Sequence, residues 1–169
     1  MNRELWLLRH GKSDREIITD DFDRPLKKRG KQAARRVGSW MGRERLIPDI
    51  ILSSPANRAI TTAMLVCTAI GGDSAKIRQD SRLYFQGIEP LKRVLAECPV
   101  DARRVLLVGH NPDLEALLLD LVGESNVPDV DKLLPTAAFA RIAMPKEWHS
   151  LDAGCAQLLS ITYAKQLPE

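Results

Sequence analysis

The chain has 169 residues, 44% hydrophobic and 28% charged residues, and a formal net charge of +3. This composition argues against intrinsic disorder, and no apolar run approaches the roughly 18 residues that a transmembrane helix needs, so we expect no membrane association. The length suits one well-buried domain rather than two, so residues 1–169 are expected to form a single domain.

Two further features of the sequence concern the cellular compartment. The four apolar residues near the start of the chain are fewer than the roughly 7–15 that a secretory signal needs, which predicts a cytoplasmic protein. The cysteines Cys67, Cys98 and Cys155 lie far apart and without metal-ligand spacing, so we expect buried free thiols.

The first apolar run, residues 5–8, predicts a buried strand that ends at Arg9 and His10, with Gly11 letting the backbone turn. The basic residues between 27 and 45 accompany an apolar stripe with helical spacing, which predicts an amphipathic helix. The basic face of this helix has two interpretations, a solvated outer surface or a docking surface for an acidic partner. Few aromatic residues interleave with these charges, so nucleic-acid binding is not expected.

Residues 49–53 predict a second strand. Ser54 and Pro55 then predict the start of a helix, with the serine as N-cap and the proline as first helical residue. Arg58 is thereby placed in the first turn of that helix. Residues 76–84 contain a short polar segment that predicts an edge strand.

The second half of the chain repeats this design. Residues 88–95 predict a third helix, and residues 104–109 form the strongest predicted strand, which ends at His110. Asn111 and Pro112 are predicted to be the N-cap and first residue of a fourth helix.

Near the end of the chain, residues 139–143 and 156–161 predict an antiparallel pair of strands. The loop between them carries His149, which we interpret as a residue without a role in the site. The alternation of strands and helices predicts an α/β fold, a three-layer α/β/α arrangement around a mostly parallel central sheet.

Four side chains follow from this topology as a candidate site, namely Arg9, His10, Arg58 and His110. Ligands of open α/β sheets bind beyond the carboxyl ends of the strands, where helix N-termini also favour anions. Guanidinium groups bind phosphate through paired hydrogen bonds, and a neutral imidazole can attack phosphorus. A structural arginine-histidine pair is one alternative, and a metal site is another. No Asp, Glu or Cys stands close by at useful spacing, so neither a metal nor another cofactor is expected.

The motifs that carry these residues resemble those of the histidine phosphatase superfamily, the phosphoglycerate-mutase-like proteins. The resemblance rests on Arg9-His10-Gly11, on residues 53–63 and on residues 108–111. The short chain and three further segments make it most similar to the small phosphohistidine phosphatases of the SixA type; these segments are Arg24-Pro25-Leu26 followed by Gly30, Gly109-His110-Asn111-Pro112, and Thr136-Ala137-Ala138.

The resemblance implies a phosphoglycerate-mutase-like fold and a role for each site residue. His10 would take up the phosphoryl group as the nucleophile, while Arg9, Arg58 and His110 would hold its oxygens and stabilise the transition state. His110 would therefore be both a catalytic and a phosphate-binding residue. Arg24 is a further candidate at the rim of the pocket, although exposure in a loop explains it equally well.

One departure from the wider superfamily concerns the proton donor. Many members carry an acidic residue after the third strand, whereas residues 82–86 of this chain read Arg-Leu-Tyr-Phe-Gln. Glu89 is the nearest candidate for a proton donor, although a glutamate that opens a helix ordinarily serves the helix dipole. A site without a strong acid suits phosphohistidine. The second ring nitrogen of the substrate imidazole can already carry a proton, so the ring departs neutral when the P–N bond breaks.

These observations predict a metal-independent phosphohistidine phosphatase that acts in signal transduction. The expected partner is a phosphohistidine-containing protein or a small phosphorylated substrate, and the enzyme is expected to be a monomer. A general phosphomonoesterase is the first alternative and would need Glu89 or an aspartate as acid; the candidate aspartates are Asp14, Asp20, Asp21 and Asp23. A mutase and a non-catalytic phosphate-binding module are further alternatives.

Overall fold

The computed structural model describes residues 3–168 and contains a six-stranded mixed sheet. The order across the sheet is β3-β2-β4-β1-β5-β6. The first four strands in this order are parallel, and β5 and β6 are antiparallel to their neighbours. The bounds are β1 (Arg3–Arg9), β2 (Ile50–Ser53), β3 (Arg78–Gln79), β4 (Arg104–Gly109), β5 (Phe139–Met144) and β6 (Gln157–Thr162).

Four helices cover the two faces of this sheet: α1 (Lys28–Arg43), α2 (Asn57–Ala69), α3 (Ile88–Ala96) and α4 (Asp113–Val122). Successive side chains of a strand point to opposite faces. In β1, Leu5 and Leu7 accordingly pack in the hydrophobic cluster beneath α3 and α4. Trp6 and Leu8 pack in the cluster beneath α1 and α2. The predicted three-layer α/β/α class with a mostly parallel sheet is therefore confirmed.

The start of α2 differs from the prediction. Ser54 and Pro55 precede the helix, which begins at Asn57 with Ala56 in the N-cap position. The Ser54 hydroxyl still accepts a hydrogen bond from the backbone N–H of Ala56, at 3.2 Å. This bond spans two residues and forms a turn before the helix rather than a cap on it, and the same hydroxyl lies 2.8 Å from His110 Nε2. Arg58 nevertheless lies in the first turn, as predicted.

The start of α4 differs in the same way. The helix begins at Asp113, and Pro112 rather than Asn111 occupies the N-cap position. The Asn111 side chain does not cap the helix, because its amide donates to Glu115 Oε2 and to the carbonyl of Leu134, both at 2.8 Å. Asn111 thus ties the start of α4 to the segment that leads into β5.

Other features of the described residues bear on the remaining predictions. The outward face of α1 carries exposed basic side chains at Lys28, Arg29, Lys31, Arg35 and Arg43. Within residues 3–168 no helix is long and apolar enough to cross a membrane. All three cysteines are free thiols, two of them buried and one half-buried.

The loop after β1 packs very closely against the first turn of α1. A Cβ atom on Gly30 would lie 2.2 Å from the carbonyl oxygen of Lys12, and one on Gly11 would lie 2.6 Å from the carbonyl oxygen of Gly30. Gly11 does not have a positive φ. Close backbone contact, rather than the tight turn that the sequence suggested, is therefore the reason for glycine at position 11.

We expect Gly30→Ala to lower the free energy of unfolding by about 1–3 kcal/mol, because the new methyl group overlaps backbone atoms that cannot move cheaply. Gly42→Ala in the same helix is the matched control, since its Cβ would meet only Ala69 O at 3.9 Å. Alanine favours a helix over glycine by about 0.5–1 kcal/mol, so the control should stabilise. Urea unfolding of both variants measures the difference, and equal effects would contradict the close contact.

Candidate active site

The carboxyl ends of β1 and β4 place two histidines side by side. The two strands are neighbours, with Arg9 opposite Gly109 in the register. His10 and His110 follow directly, and their ring centroids are 5.1 Å apart. Both are buried, with 7% and 1% of their surface exposed. The parallel pairing therefore brings together two residues that are 100 positions apart in sequence.

The hydrogen bond of His10 fixes which ring nitrogen carries the proton. His10 Nδ1 lies 2.7 Å from the carbonyl oxygen of Gly11. A carbonyl oxygen accepts hydrogen bonds but cannot donate them, so Nδ1 is the protonated nitrogen. The lone pair is consequently on Nε2, which forms no hydrogen bond with the described residues.

His110 is held from the opposite side, through its Nε2. This atom lies 2.8 Å from the Oγ of Ser54, the residue that follows β2. The Ser54 hydroxyl accepts from the Ala56 N–H, and among the described residues His110 Nε2 is the acceptor within reach of its proton, so we assign that proton to the bond with His110 Nε2. The proton of His110 is then on Nδ1, which is buried without a partner among the described residues.

The two arginines present further donors. Arg58 is 1% exposed and Arg9 is partly buried, and the Nε atom of each is buried without a hydrogen-bond partner among the described residues. The Thr62 hydroxyl accepts from the Gly11 N–H at 3.0 Å and donates to the Arg58 carbonyl at 2.8 Å. Thr62 thereby joins the first turn of α2 to the loop that carries His10.

Asp21 organises the outer part of the site. Its carboxylate pairs with Arg58 Nη2 and with Arg24 Nη1, both at 2.9 Å, and accepts a hydrogen bond from the Tyr84 hydroxyl at 2.5 Å. Arg24 also donates to the Ser13 hydroxyl at 3.0 Å. Arg24 therefore lies beside the site, as the rim position predicted for it requires.

Burial and positive charge keep both histidines neutral. Burial is the largest cause that lowers the pKa of His10 to about 4; the bond to Gly11 opposes it, and the charges of Arg58 and Arg9 add to the decrease. Burial also lowers the pKa of His110 to about 3, helped by His10 and Arg58. Arg58 and Arg9 lower the pKa of both imidazoles, as expected for positive charges close to them.

These pKa values predict that neither site histidine takes up a proton between pH 5 and 8. We expect the imidazole NMR signals of His10 to shift only as the pH falls toward about 4, and those of His110 at still lower pH. The variants His10→Gln and His110→Gln assign the signals. Protonation of either ring near pH 6.5, the ordinary value for histidine, would contradict the neutral site.

The same pKa decrease predicts how stability depends on pH. Below about pH 6.5 the unfolded chain binds protons at these histidines that the folded chain does not, so the free energy of unfolding should fall from pH 7 to pH 5. The double variant His10→Gln/His110→Gln should show a smaller fall in urea unfolding. An unchanged fall would contradict the prediction.

The carboxylates proposed as proton donors have different positions. Glu89 is exposed in the first turn of α3, because Leu91, Val94 and Leu95 turn the other face of that helix inward. It lines a separate cavity with Trp148 and His149, whose lining includes none of the four predicted site residues. The structure therefore does not bring Glu89 to the site, and its prediction as a proton donor is not supported.

Asp21 is the carboxylate that does reach the site. Partial burial opposes its ionisation, but the hydrogen bonds from Tyr84 and Arg58 and the charge of Arg24 outweigh this, so its pKa lies well below the usual range. Asp21 is thus ionised at neutral pH and carries no proton to donate. Among residues 3–168 no cluster of three or more His, Cys, Asp or Glu side chains is arranged to hold a metal ion.

Sequence reasoning missed several residues of the site. The sequence predicts only a helix cap at Ser54 and no role for Thr62. Tyr84 and Phe85 stand where the wider superfamily has an acidic residue, and both rings pack against His110, with centroids 5.4 and 4.6 Å away. Two adjacent aromatic residues in place of the usual acidic residue are the signal that identifies Tyr84 and Phe85 as part of the site.

The fold and the site together define an α/β protein in which two neutral histidines lie side by side and two arginines lower the pKa of both. The family model described as histidine phosphatase superfamily (branch 1) matches residues 5–84. The chain belongs to this superfamily, as its motifs predicted.

Individual proteins extend the comparison. The structure provisionally named phosphohistidine phosphatase SixA from Nakamurella multipartitia superposes with a TM-score of 0.80 and 28% identity, covering 96% of each chain. An uncharacterized protein of Picosynechococcus sp. is 36% identical over 120 residues, which are 66% of this chain and 68% of that protein. The 2,3-bisphosphoglycerate-dependent phosphoglycerate mutase of Mycobacterium leprae is 42% identical over 108 residues, but these are only 44% of the mutase.

Proposed function

We propose that this protein is a phosphatase that hydrolyses phosphohistidine on proteins, or a related phosphoramidate, through a phosphorylated His10. The hydrogen bond from His10 Nδ1 to the Gly11 carbonyl, at 2.7 Å, carries this proposal. Because the bond keeps the proton on Nδ1, the lone pair of Nε2 is available to attack phosphorus.

In the first step His10 Nε2 forms a bond to phosphorus while the P–N bond of the substrate breaks. The electron pair of the broken bond returns to the substrate imidazole, which leaves as a neutral ring if its other nitrogen carries a proton. The N–H groups of Arg9 Nε, Arg58 Nε and His110 Nδ1 are three buried donors without partners among the described residues. Each would bind an equatorial oxygen of the phosphoryl group as negative charge gathers there.

In the second step water attacks the phosphorylated His10. Since Nδ1 keeps its proton on the Gly11 carbonyl, His10 departs as a neutral imidazole when the P–N bond breaks, and the electron pair returns to Nε2. Both protons of the water remain with the released dihydrogen phosphate. Neither step requires a proton donor among the side chains.

The proposed substrate class rests on the fact that neither step needs an acid from the protein. An alkyl phosphate releases an alkoxide, which requires a proton in the transition state. Asp21 is held ionised by Tyr84, Arg58 and Arg24 and cannot supply it. The name of the Nakamurella protein indicates the same substrate class and supports the proposal. The enzyme would then act on a phosphorylated signalling protein as a metal-independent cytoplasmic monomer.

The test compares a phosphohistidine-containing protein with an alkyl phosphate, in excess chelator, at pH 7. We expect kcat/KM to be clearly higher for phosphohistidine and unchanged by the chelator. Faster turnover of the alkyl phosphate would overturn the substrate assignment in favour of a general phosphomonoesterase. Binding of inorganic phosphate without any turnover would instead favour a non-catalytic module.

A further inference from the structure

The aromatic residues beside His110 form a wall at the mouth of the site. Phe85 packs on His110 with centroids 4.6 Å apart, and its ring lies 5.9 Å from the Arg58 guanidinium carbon. The ring of Tyr84 meets that of His110 edge to face, with centroids 5.4 Å apart. The rings of Tyr84 and Phe85 are tilted against each other, with centroids 4.9 Å apart. Phe22 adds a third ring, 5.3 Å from Tyr84.

The wall is fixed in place and partly open to solvent. The hydrogen bond from the Tyr84 hydroxyl to Asp21 holds Tyr84, while Phe85 is 44% exposed and Phe22 39% exposed. A ring that served to fill the hydrophobic core would be buried. The exposed faces of these rings are therefore available to a bound molecule.

The backbone of Phe85 supports the same interpretation. Its φ is +55°, in the left-handed region that bulky residues rarely adopt. Such a conformation is disfavoured for phenylalanine and persists where the surroundings impose it, which is common at functional sites. Asparagine or glycine would fit this backbone better, so the aromatic ring is kept here against the local preference.

The direction of the reaction brings the leaving group to this wall. In an in-line displacement the leaving group lies opposite the nucleophile. His10 is buried, with 7% of its surface exposed, so a leaving group opposite its Nε2 would lie toward solvent, where Phe85 is 44% exposed. The ring that leaves would pass the faces of Phe85 and Tyr84.

We infer that Phe85, supported by Tyr84, forms a subsite that selects flat aromatic leaving groups, the imidazole of phosphohistidine above all. This inference rests on the proposed function and names a specificity-determining residue for it. An imidazole ring can stack on Phe85, whereas an aliphatic or simple amine leaving group has no π face to offer. Stacking of this kind favours the aromatic substrate by about 3- to 10-fold.

Two substrates that share the P–N bond but differ in the leaving group test the inference. N-phosphohistidine releases an aromatic ring, and phosphoramidate releases ammonia. We expect Phe85→Leu, which keeps an apolar side chain but removes the π face, to lower the kcat/KM ratio between them by about 3- to 10-fold. Phe85→Asn, which suits the left-handed backbone, should lower it equally, and Phe85→Tyr should preserve it.

The outcomes separate the inference from the function on which it rests. An equal loss on both substrates in Phe85→Leu and Phe85→Asn, or no change on either, would overturn the aromatic subsite and leave the phosphatase assignment intact. Failure of the wild-type enzyme to hydrolyse N-phosphohistidine would overturn the proposed function itself. Circular dichroism of each variant confirms folding before the ratio is compared.

Discussion

Replacement of His10 by glutamine is expected to reduce kcat by at least about 10⁴-fold, because the other unpartnered nitrogens of the described site, Arg9 Nε, Arg58 Nε and His110 Nδ1, carry protons and have no lone pair with which to attack phosphorus. The glutamine amide can still donate to the Gly11 carbonyl, so the local backbone should be retained. Steady-state hydrolysis of a phosphohistidine-containing protein measures the loss.

His149→Gln is the matched control for this variant, since it removes the remaining histidine outside the site. The side chain of His149 is 63% exposed and pairs with Glu147 at 3.0 Å. The control should keep wild-type turnover. Turnover of His10→Gln within tenfold of the wild type would show that the reaction does not pass through His10.

Arg58→Ala is expected to lower kcat/KM by about 10²–10³-fold, the usual cost of removing one donor to a transition state. The loss includes a second effect, because the carboxylate of Asp21 then loses the partner that holds it 2.9 Å away. Arg58→Lys should recover little of the activity. Arg58 contacts the carbonyl of Asp21 through Nη1 and its carboxylate through Nη2, and the single nitrogen of a lysine cannot take both of these positions and that of Nε as well.

The control for Arg58 is Arg35→Ala, which removes an exposed guanidinium from the outer face of α1 and should leave kcat/KM unchanged. Addition of guanidinium ion to Arg58→Ala provides a second check, since partial rescue indicates a missing donor rather than a misfolded protein. A loss smaller than threefold in Arg58→Ala would contradict the role proposed for this residue.

The positions of the four site residues could be predicted because each is fixed by local pattern and sheet topology. Arg9 and His10 end one apolar run and His110 ends another, and parallel strands place such ends at the same edge of the sheet. Arg58 follows from the helix start after β2. Tertiary contacts were not needed to anticipate these placements.

The outer part of the site could not be predicted in this way. Asp21 reaches Arg58 and Tyr84 through a loop whose path depends on contacts with residues 37 and 63 positions away. Ser54 carries an N-cap signal, but its hydroxyl also bonds to His110, a use that only the folded neighbourhood reveals. Glu89 looked close in sequence, yet the inward apolar face of α3 leaves it on the exposed side.

The likeness to a phosphoglycerate mutase is limited to part of that protein. The shared segment of the Mycobacterium leprae mutase covers less than half of that protein. What the two chains share therefore does not extend to the whole mutase, so this likeness does not assign the mutase's activity to the chain. The carboxylate of Asp21, which reaches the site, is held ionised, and this favours substrates whose leaving group needs no proton.

Rapid quench of the enzyme during turnover, followed by ³¹P NMR of the trapped phosphoprotein, examines the nucleophile directly. We expect acid-labile phosphate on Nε2 of His10 in the wild type and none in His10→Gln. Phosphate found on Nδ1 of His10 or on another residue would contradict the mechanism. Turnover without any phosphate on the enzyme would contradict it as well.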